Sequence, residues 1–448
     1  PSTETSVGSF PNSTGDEVDI AVSAARRAFD DWKSRSRIER AEFMLALCDI
    51  VRKTEQYIAR TISLETGKSL NESRAEVIES LHMAQYCFGR GREPFGSVVG
   101  SELSERDSYV IRKPKGVVAV VAPWNFPFAI GGFWCAAPAL LEGNTVVFKP
   151  SELTPWVGQI TAELYHEAKF PPGVFNLVHG DGNTGSSLVS HKDVKHIAFT
   201  GSVETGRHIR RMCAEAEKTC SCEMGSKSAV MVFDDCDLDL AVSACLNSAF
   251  KLSGQRCVSS GRLLVQRGVL ESFKSKFLEA ASRIHVGDPF SQVPSSAPLS
   301  FGPLISPDQM DRVLRYNELV RNDISCTVLS DPLRDKTEKG YFVGPFVYQC
   351  EWDDKPFLKE EVFGPHVAIV PFDDVDDAIR IYNDTPYGLS LGAVTDDFRK
   401  MRKIRDNCDA GMIYFNLGSI GAESHFPFTG VPVLQEHLKP WSTRLRYR

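Results

Sequence analysis

The 448-residue chain lacks any apolar stretch of the about eighteen residues that a membrane span needs. A membrane partner is therefore not expected. It also lacks a long basic run, and its 51 Lys and Arg are outnumbered by 58 Asp and Glu, for a net charge of −7. That balance makes nucleic acid and anionic membrane poor partners. The twelve cysteines show no paired metal-ligand spacing, and Cys220-Ser221-Cys222 is too close for an ordinary zinc pair. No metal is expected. The opening residues carry no signal-peptide pattern, so reduced thiols and a cytoplasmic location are expected. What remains is a composition of 42% hydrophobic and 24% charged residues, typical of a globular protein. The length exceeds a single core and implies two or three domains.

Residues 16 to 95 carry helical periodicity, in Asp19–Phe29, Arg37–Lys53 and Glu72–Arg90, with a break at Gly67. They read as a helical layer packed on something else. Periodicity then changes. Val117–Ala122, Thr145–Phe148, Val174–Val178 and His196–Thr200 are short apolar runs of the kind buried on both faces of a parallel sheet. Helical stretches such as Gly158–Lys169 separate them. The alternation predicts a doubly wound α/β domain, with ligands at the carboxyl ends of its strands. Residues beyond Lys227 read as a second α/β unit, with helices near Phe273–Ile284 and Pro307–Asn322.

The unusual polar residues follow those strand ends. Gly201-Ser202-Val203-Glu204-Thr205-Gly206 suits a helix N-terminus facing a pyrophosphate, although it is not the usual glycine fingerprint. Lys149 and Glu152 are spaced to reach one ribose, and a carboxylate there would repel a 2′-phosphate, favouring NAD over NADP. A solvated charged loop is the competing reading. Asn125, held between Pro123 and Pro127, is a plausible oxyanion donor; a turn asparagine bonded to its own backbone is the alternative. Glu223 lies 34 positions before Cys257 in a weakly charged segment. Desolvation there would raise its pKa toward that of a general base. Cys257 sits in the polar loop Ser253–Ser260. Arg256 and the serines predict a partly exposed, positively biased thiol with a lowered pKa, against the reading of an incidental core cysteine.

In order and spacing, these stretches resemble the aldehyde dehydrogenase superfamily. The motifs are Pro123-Trp-Asn-Phe-Pro127, Lys149-Pro-Ser-Glu152, Phe199-Thr-Gly-Ser202 with Gly206, Glu223-Met-Gly-Ser-Lys227, Gly254-Gln-Arg-Cys257 and Glu360-Glu-Val-Phe-Gly-Pro365. The resemblance runs from about residue 10 to Val431. It implies a dinucleotide-binding domain over 1–96 and 114–226, a catalytic domain over 227–431, and an oligomerisation segment over 97–113 with the tail 432–448. It implies Cys257 as nucleophile, Asn125 and the Cys257 backbone N–H as oxyanion donors, and Glu223 as the base that activates water. Lys149, Ser151 and Glu152 would serve the adenosine ribose, and Gly201, Ser202 and Gly206 the pyrophosphate. Glu361 would hold the nicotinamide ribose with Phe363 packing nearby, Trp124 would shape the pocket floor, and Met224 would contact the cofactor. The cofactor is NAD, with NADP as the alternative, and the partners are a small aldehyde and a second copy, as homodimer or homotetramer. A CoA-acylating enzyme and a silent protein of the same fold are rival readings. Glu223 opposes the first; intact Cys257, Glu223 and Asn125 oppose the second.

The family usually has two glycines where this chain has Gly225 and Ser226, and the serine is expected to crowd the nicotinamide side. Glu79, on the helix Glu72–Arg90, and Gly418–Glu423 look like the aminoadipate-semialdehyde branch. They suggest a semialdehyde with a polar end, contacted by Glu79 and Arg256; a surface helix glutamate is the plainer reading. After Val431 the likeness stops. Pro432 to Arg448, with two prolines and no period-two apolar pattern, is a poor substitute for the family's last interface strand. A weaker assembly, or one built mainly on helices, is the expectation.

Overall fold

The computed structural model describes residues 1–332 and 339–431, so the expectation for the tail lies outside the described residues. Three helices open the chain: α1 (Gly15–Ser34), α2 (Arg37–Thr66) and α3 (Leu70–Arg90). Thr14 with Glu17, and Ser36 with Glu39, form reciprocal caps that start the first two. Gly67 ends α2 at φ 79°, a left-handed cap that a Cβ would disfavour. The strands β1 (Gly96–Val99) and β2 (Ser108–Ile111) then pair with each other as an antiparallel ribbon.

A five-stranded parallel sheet follows, made of β3 (Val117–Val121), β4 (Thr145–Lys149), β5 (Phe175–Leu177), β6 (Val194–Gly201) and β7 (Thr219–Met224). Its order is β5-β4-β3-β6-β7, so the chain winds outward to one edge and returns beside β3 to complete the other. Val117 and Ala119 pack with Val18, Val22 and Ala25 of α1, whereas Val118 and Val120 pack with α2 and α3. The opening helices therefore do not form one layer. The strand period of two sends alternate residues to opposite faces, and α1 covers one face while α2 and α3 cover the other.

The second sheet has seven strands. From one edge they are Thr327–Ser330, Phe346–Gln349, His366–Phe372, Ser260–Gln266, Ser228–Val232, Ser390–Val394 and Met412–Phe415. All pairings are parallel except that of Thr327–Ser330. Apolar clusters fill both of its faces. The molecule is mixed α/β with two doubly covered sheets. Among the described residues, no helix is long and apolar enough to cross a membrane.

Candidate active site

The helix Leu238–Phe250 ends in a tight turn, and Leu252, Ser253 and Gly254 all take positive φ values of 57°, 54° and 69°. Two side chains in this region cost strain that outside contacts must offset. Glu72 accepts the Leu252 N–H at 2.6 Å, and the Ser253 hydroxyl donates to the Gly302 carbonyl at 2.7 Å. Gln255 accepts the Ile305 N–H through Oε1 at 3.1 Å. Asn125 Nδ2 donates to the Gln255 carbonyl at 3.0 Å. At Gly254 a Cβ would overlap the Gly364 carbonyl, so only glycine fits. The turn fixes the direction in which Cys257 leaves the helix.

Cys257 reaches the wall of a cavity of about 370 Å³. Its thiol is not the lowered one that its neighbours in sequence predicted. Burial pushes it up to about 12, the carboxylates Glu361 and Glu223 add to that, and Arg256 opposes it only weakly. The Arg256 guanidinium lies over the Phe126 ring at 5.2 Å. Glu223, at the end of β7, behaves as expected: burial raises its carboxyl to about 7. Asn125 is buried, and its Oδ1 has no partner. One amide N–H is committed to Gln255, leaving the second as the donor available to a ligand.

The same cavity gathers Trp124 and Asn125 after β3, Gly201 and Ser202 after β6, Met224 and Gly225 after β7, and Glu361 with Phe363 from the second half. Ser202 caps the helix Val203–Glu215, accepting the Thr205 N–H, so that helix's first amides face this region. Phe363 is held at φ 62° with its ring edge-on to Trp124, centroids 5.4 Å apart. Gly206 packs on Met224 with no room for a Cβ. Burial raises the Glu361 carboxyl to about 7, and its Oε1 accepts the Ser226 N–H at 2.8 Å. A Cβ on Gly225 would overlap that carboxylate. Ser226, by contrast, does not crowd the cavity. Its hydroxyl turns inward to Ser228 at 3.0 Å, and Ser228 continues to Ser390.

Lys149, Ser151 and Glu152 stand apart, at the carboxyl end of β4 on the same sheet edge. Lys149 is buried, donates to the Pro150 carbonyl at 3.0 Å and lies 3.7 Å from the exposed carboxylate of Glu152. Ser151 Oγ donates to Glu152 at 3.4 Å. The residues therefore fit a dinucleotide extended along the strand ends: a capped helix N-terminus in the middle, a Lys–Glu pair beyond it, and a cradle at Gly225 that a side chain would fill.

Glu79 is not a plain surface glutamate. It is half-buried, burial raises it to about 7, and it lines a cavity of about 270 Å³ with His82, Tyr86 and Glu423. Arg256 exerts a weak electrostatic pull on Glu79 but does not line that cavity. Sequence reasoning missed His82 and Tyr86, although the spacing 79, 82, 86 marks one helix face. It also missed Gln309, Arg312 and Tyr387 of the larger cavity, which come from segments with no motif. Glu72 was missed as the anchor of the nucleophile turn.

The sequence pattern of the aldehyde dehydrogenase family matches residues 1–432. The chain belongs to that family. It is 34% identical over 434 residues to an alpha-ketoglutaric semialdehyde dehydrogenase of Bacillus subtilis (strain 168), covering 96% of this chain and 88% of the relative. Betaine aldehyde dehydrogenase of Staphylococcus aureus in complex with NAD+ superposes with a TM-score of 0.88 at 30% identity, covering 93% of this chain and 83% of that one. An NADP-dependent enzyme of E. coli superposes with a TM-score of 0.91 at 32% identity, covering 95% and 87%. The chain is an aldehyde dehydrogenase by family, and its fold is the one that these enzymes share.

Proposed function

We propose that this aldehyde dehydrogenase oxidises a semialdehyde with a polar end to the carboxylic acid, using Cys257 as nucleophile, and prefers NAD to NADP. The carrying observation is the convergence of Cys257, Asn125, Ser202, Gly225 and Glu361, from five separate segments, on one cavity. The segments 1–96 and 114–226 act as the dinucleotide-binding domain and 227–431 as the catalytic domain. The S. aureus neighbour's complex with NAD+ supports a nicotinamide dinucleotide, and Glu152 favours the form without a 2′-phosphate.

Attack begins with loss of the Cys257 proton. Moving it from the raised thiol to the Glu223 carboxylate is uphill. Glu361 would hold a cofactor ribose, and its carboxylate would then repel the thiolate less. The sulfur then bonds the aldehyde carbon, and the oxyanion takes the free Asn125 N–H and the Cys257 backbone N–H. A bound nicotinamide supplies the two-electron acceptor that turns the thiohemiacetal into a thioester. Glu223, having passed the thiol's proton to solvent, takes a proton from water, the hydroxide adds to the thioester carbon, and Cys257 leaves as thiolate. Glu79 and Glu423 favour a substrate whose far end donates hydrogen bonds or carries positive charge.

The test is NADH absorbance across a panel of aminoadipate semialdehyde, succinate semialdehyde and simple aliphatic aldehydes, with and without CoA. Turnover without CoA and fastest on aminoadipate semialdehyde is expected. Cys257→Ala should abolish turnover while NAD still binds, and Glu223→Gln should retain a burst of NADH with slow turnover after it. Near wild-type turnover in Cys257→Ala would sink the assignment. A requirement for CoA favours the acylating reading, and no signal with any aldehyde favours a silent protein.

A further inference from the structure

Three thiols outside the proposed chemistry meet where the helix Val203–Glu215 packs on β7. Cys220 and Cys222 are alternate residues of the strand and share a face. Cys213, in the last turn of the helix, is buried against that face. Cys220 and Cys222 both pack against the apolar cluster that holds Cys213. β7 is an edge strand, and Cys220 is half-exposed.

We propose that Cys213 and Cys220 are an oxidisable pair, which a hydroperoxide joins in a disulfide that clamps the helix to β7 and weakens dinucleotide binding. The second half of this rests on the cofactor reading above. Burial pushes the Cys213 thiol up to about 12 and the Cys222 thiol to about 11, so neither supplies thiolate readily. Cys213 is buried and Cys220 is half-exposed on the edge strand, so peroxide reaches Cys220 first. Its sulfur attacks the peroxide, an S–O bond forms as O–O breaks, and one water leaves. The Cys213 sulfur then attacks the Cys220 sulfur, S–S forms as S–O breaks, and a second water leaves. Two thiols and one hydrogen peroxide give one disulfide and two waters. Cys222 is the poorer partner. Two residues along a strand separate Cα atoms by about 6.6 Å, the outer limit for a disulfide.

The helix and strand run in opposite senses. The thiols lie at one end of their contact, and Gly206 packs on Met224 at the other, where the cofactor cavity is. Seven residues, roughly 10 Å of helix, separate Cys213 from Gly206. Closing the bond draws the sulfurs nearer than contact distance and tilts the helix. Because Gly206 lies against the Met224 side chain, the tilt carries to the Ser202 amide cluster.

The experiment uses the full chain carrying Cys257→Ala, so that the nucleophile does not consume oxidant. After hydrogen peroxide, trypsin cleaves at Lys218, between the two thiols, and the disulfide is read as peptide 212–218 joined to 219–227. The joined pair is expected with Cys222→Ser and absent with Cys220→Ser or Cys213→Ser. NAD affinity, followed by tryptophan fluorescence, should fall roughly threefold or more on oxidation and recover with dithiothreitol. No joined peptide, or a bond confined to Cys220 and Cys222, overturns the pair. A joined peptide with unchanged NAD affinity overturns the clamp. Failure of the reduced protein to bind NAD overturns the cofactor reading, which the joined peptide does not depend on.

Discussion

Cys257 is half-buried on the cavity wall and faced by two carboxylates, so without cofactor its sulfur holds its proton tightly. Alkylation by iodoacetamide reads this directly. In the cofactor-free protein its rate at Cys257 should climb about tenfold per pH unit from 7 to 10 with no plateau, because thiolate stays scarce throughout. Glu361→Gln removes the larger carboxylate repulsion and should speed alkylation at every pH. A plateau below pH 9 would count against the raised thiol. Glu223 gives a second profile. Its carboxyl, raised to about 7, is a base only when ionised, so steady turnover should rise with pH through about 7. That Cys257 and Asn125 would meet at one cavity was legible because motif chemistry is local to a few residues. The thiol's environment was not. Glu361 and Glu223 are distant in sequence, whereas the adjacent Arg256 spends its charge on the Phe126 ring.

At the scale of elements, buried carboxylates start helices. Glu65 accepts the Trp156 and Val157 N–H groups, each at 2.8 Å, at the start of the helix Pro155–Glu167. Glu76 accepts those of Phe128 and Ala129 at 2.9 and 3.1 Å, where a π-helical turn over Ala129–Cys135 begins. Its other oxygen pairs with buried Lys68, which also lies over the Phe126 ring at 4.2 Å. Glu76→Ala would orphan two backbone donors and leave a buried ammonium unpaired. The expected loss is about 3–5 kcal/mol, seen as a lower midpoint in urea or thermal unfolding, with Glu76→Gln falling between. A midpoint unchanged in Glu76→Ala would show that the pair carries no stability. The regular helices and parallel strands were legible from their periods. The π-turn was not, because Gly131 and Gly132 break any apolar pattern. Their need arises from Phe148 and Ala122 at Gly131 and from Thr161 at Gly132, which lie where a Cβ would sit.

At the scale of the whole molecule, the β1–β2 ribbon stands out. Within the described residues its strands pair only with each other, and Val98, Tyr109, Val110 and Ile111 are each more than half exposed. A two-stranded ribbon is marginally stable in water by itself, and so large an apolar display on one ribbon marks an interaction surface. We expect a second copy of this chain to cover it, giving a homodimer or homotetramer held largely by this ribbon. That would displace the expectation of an interface built mainly on helices. Sedimentation velocity should then show an assembly larger than a monomer at micromolar concentration. Tyr109→Asp, which places a charge beside Val98 and Ile111 on one face of the ribbon and touches no residue of the proposed site, should weaken assembly at least about tenfold. The dissociated variant should keep its circular dichroism, because neither strand contributes to the two main sheets. A wild-type protein that sediments as a monomer, or a Tyr109→Asp variant that assembles as the wild type does, would remove the ribbon from the interface.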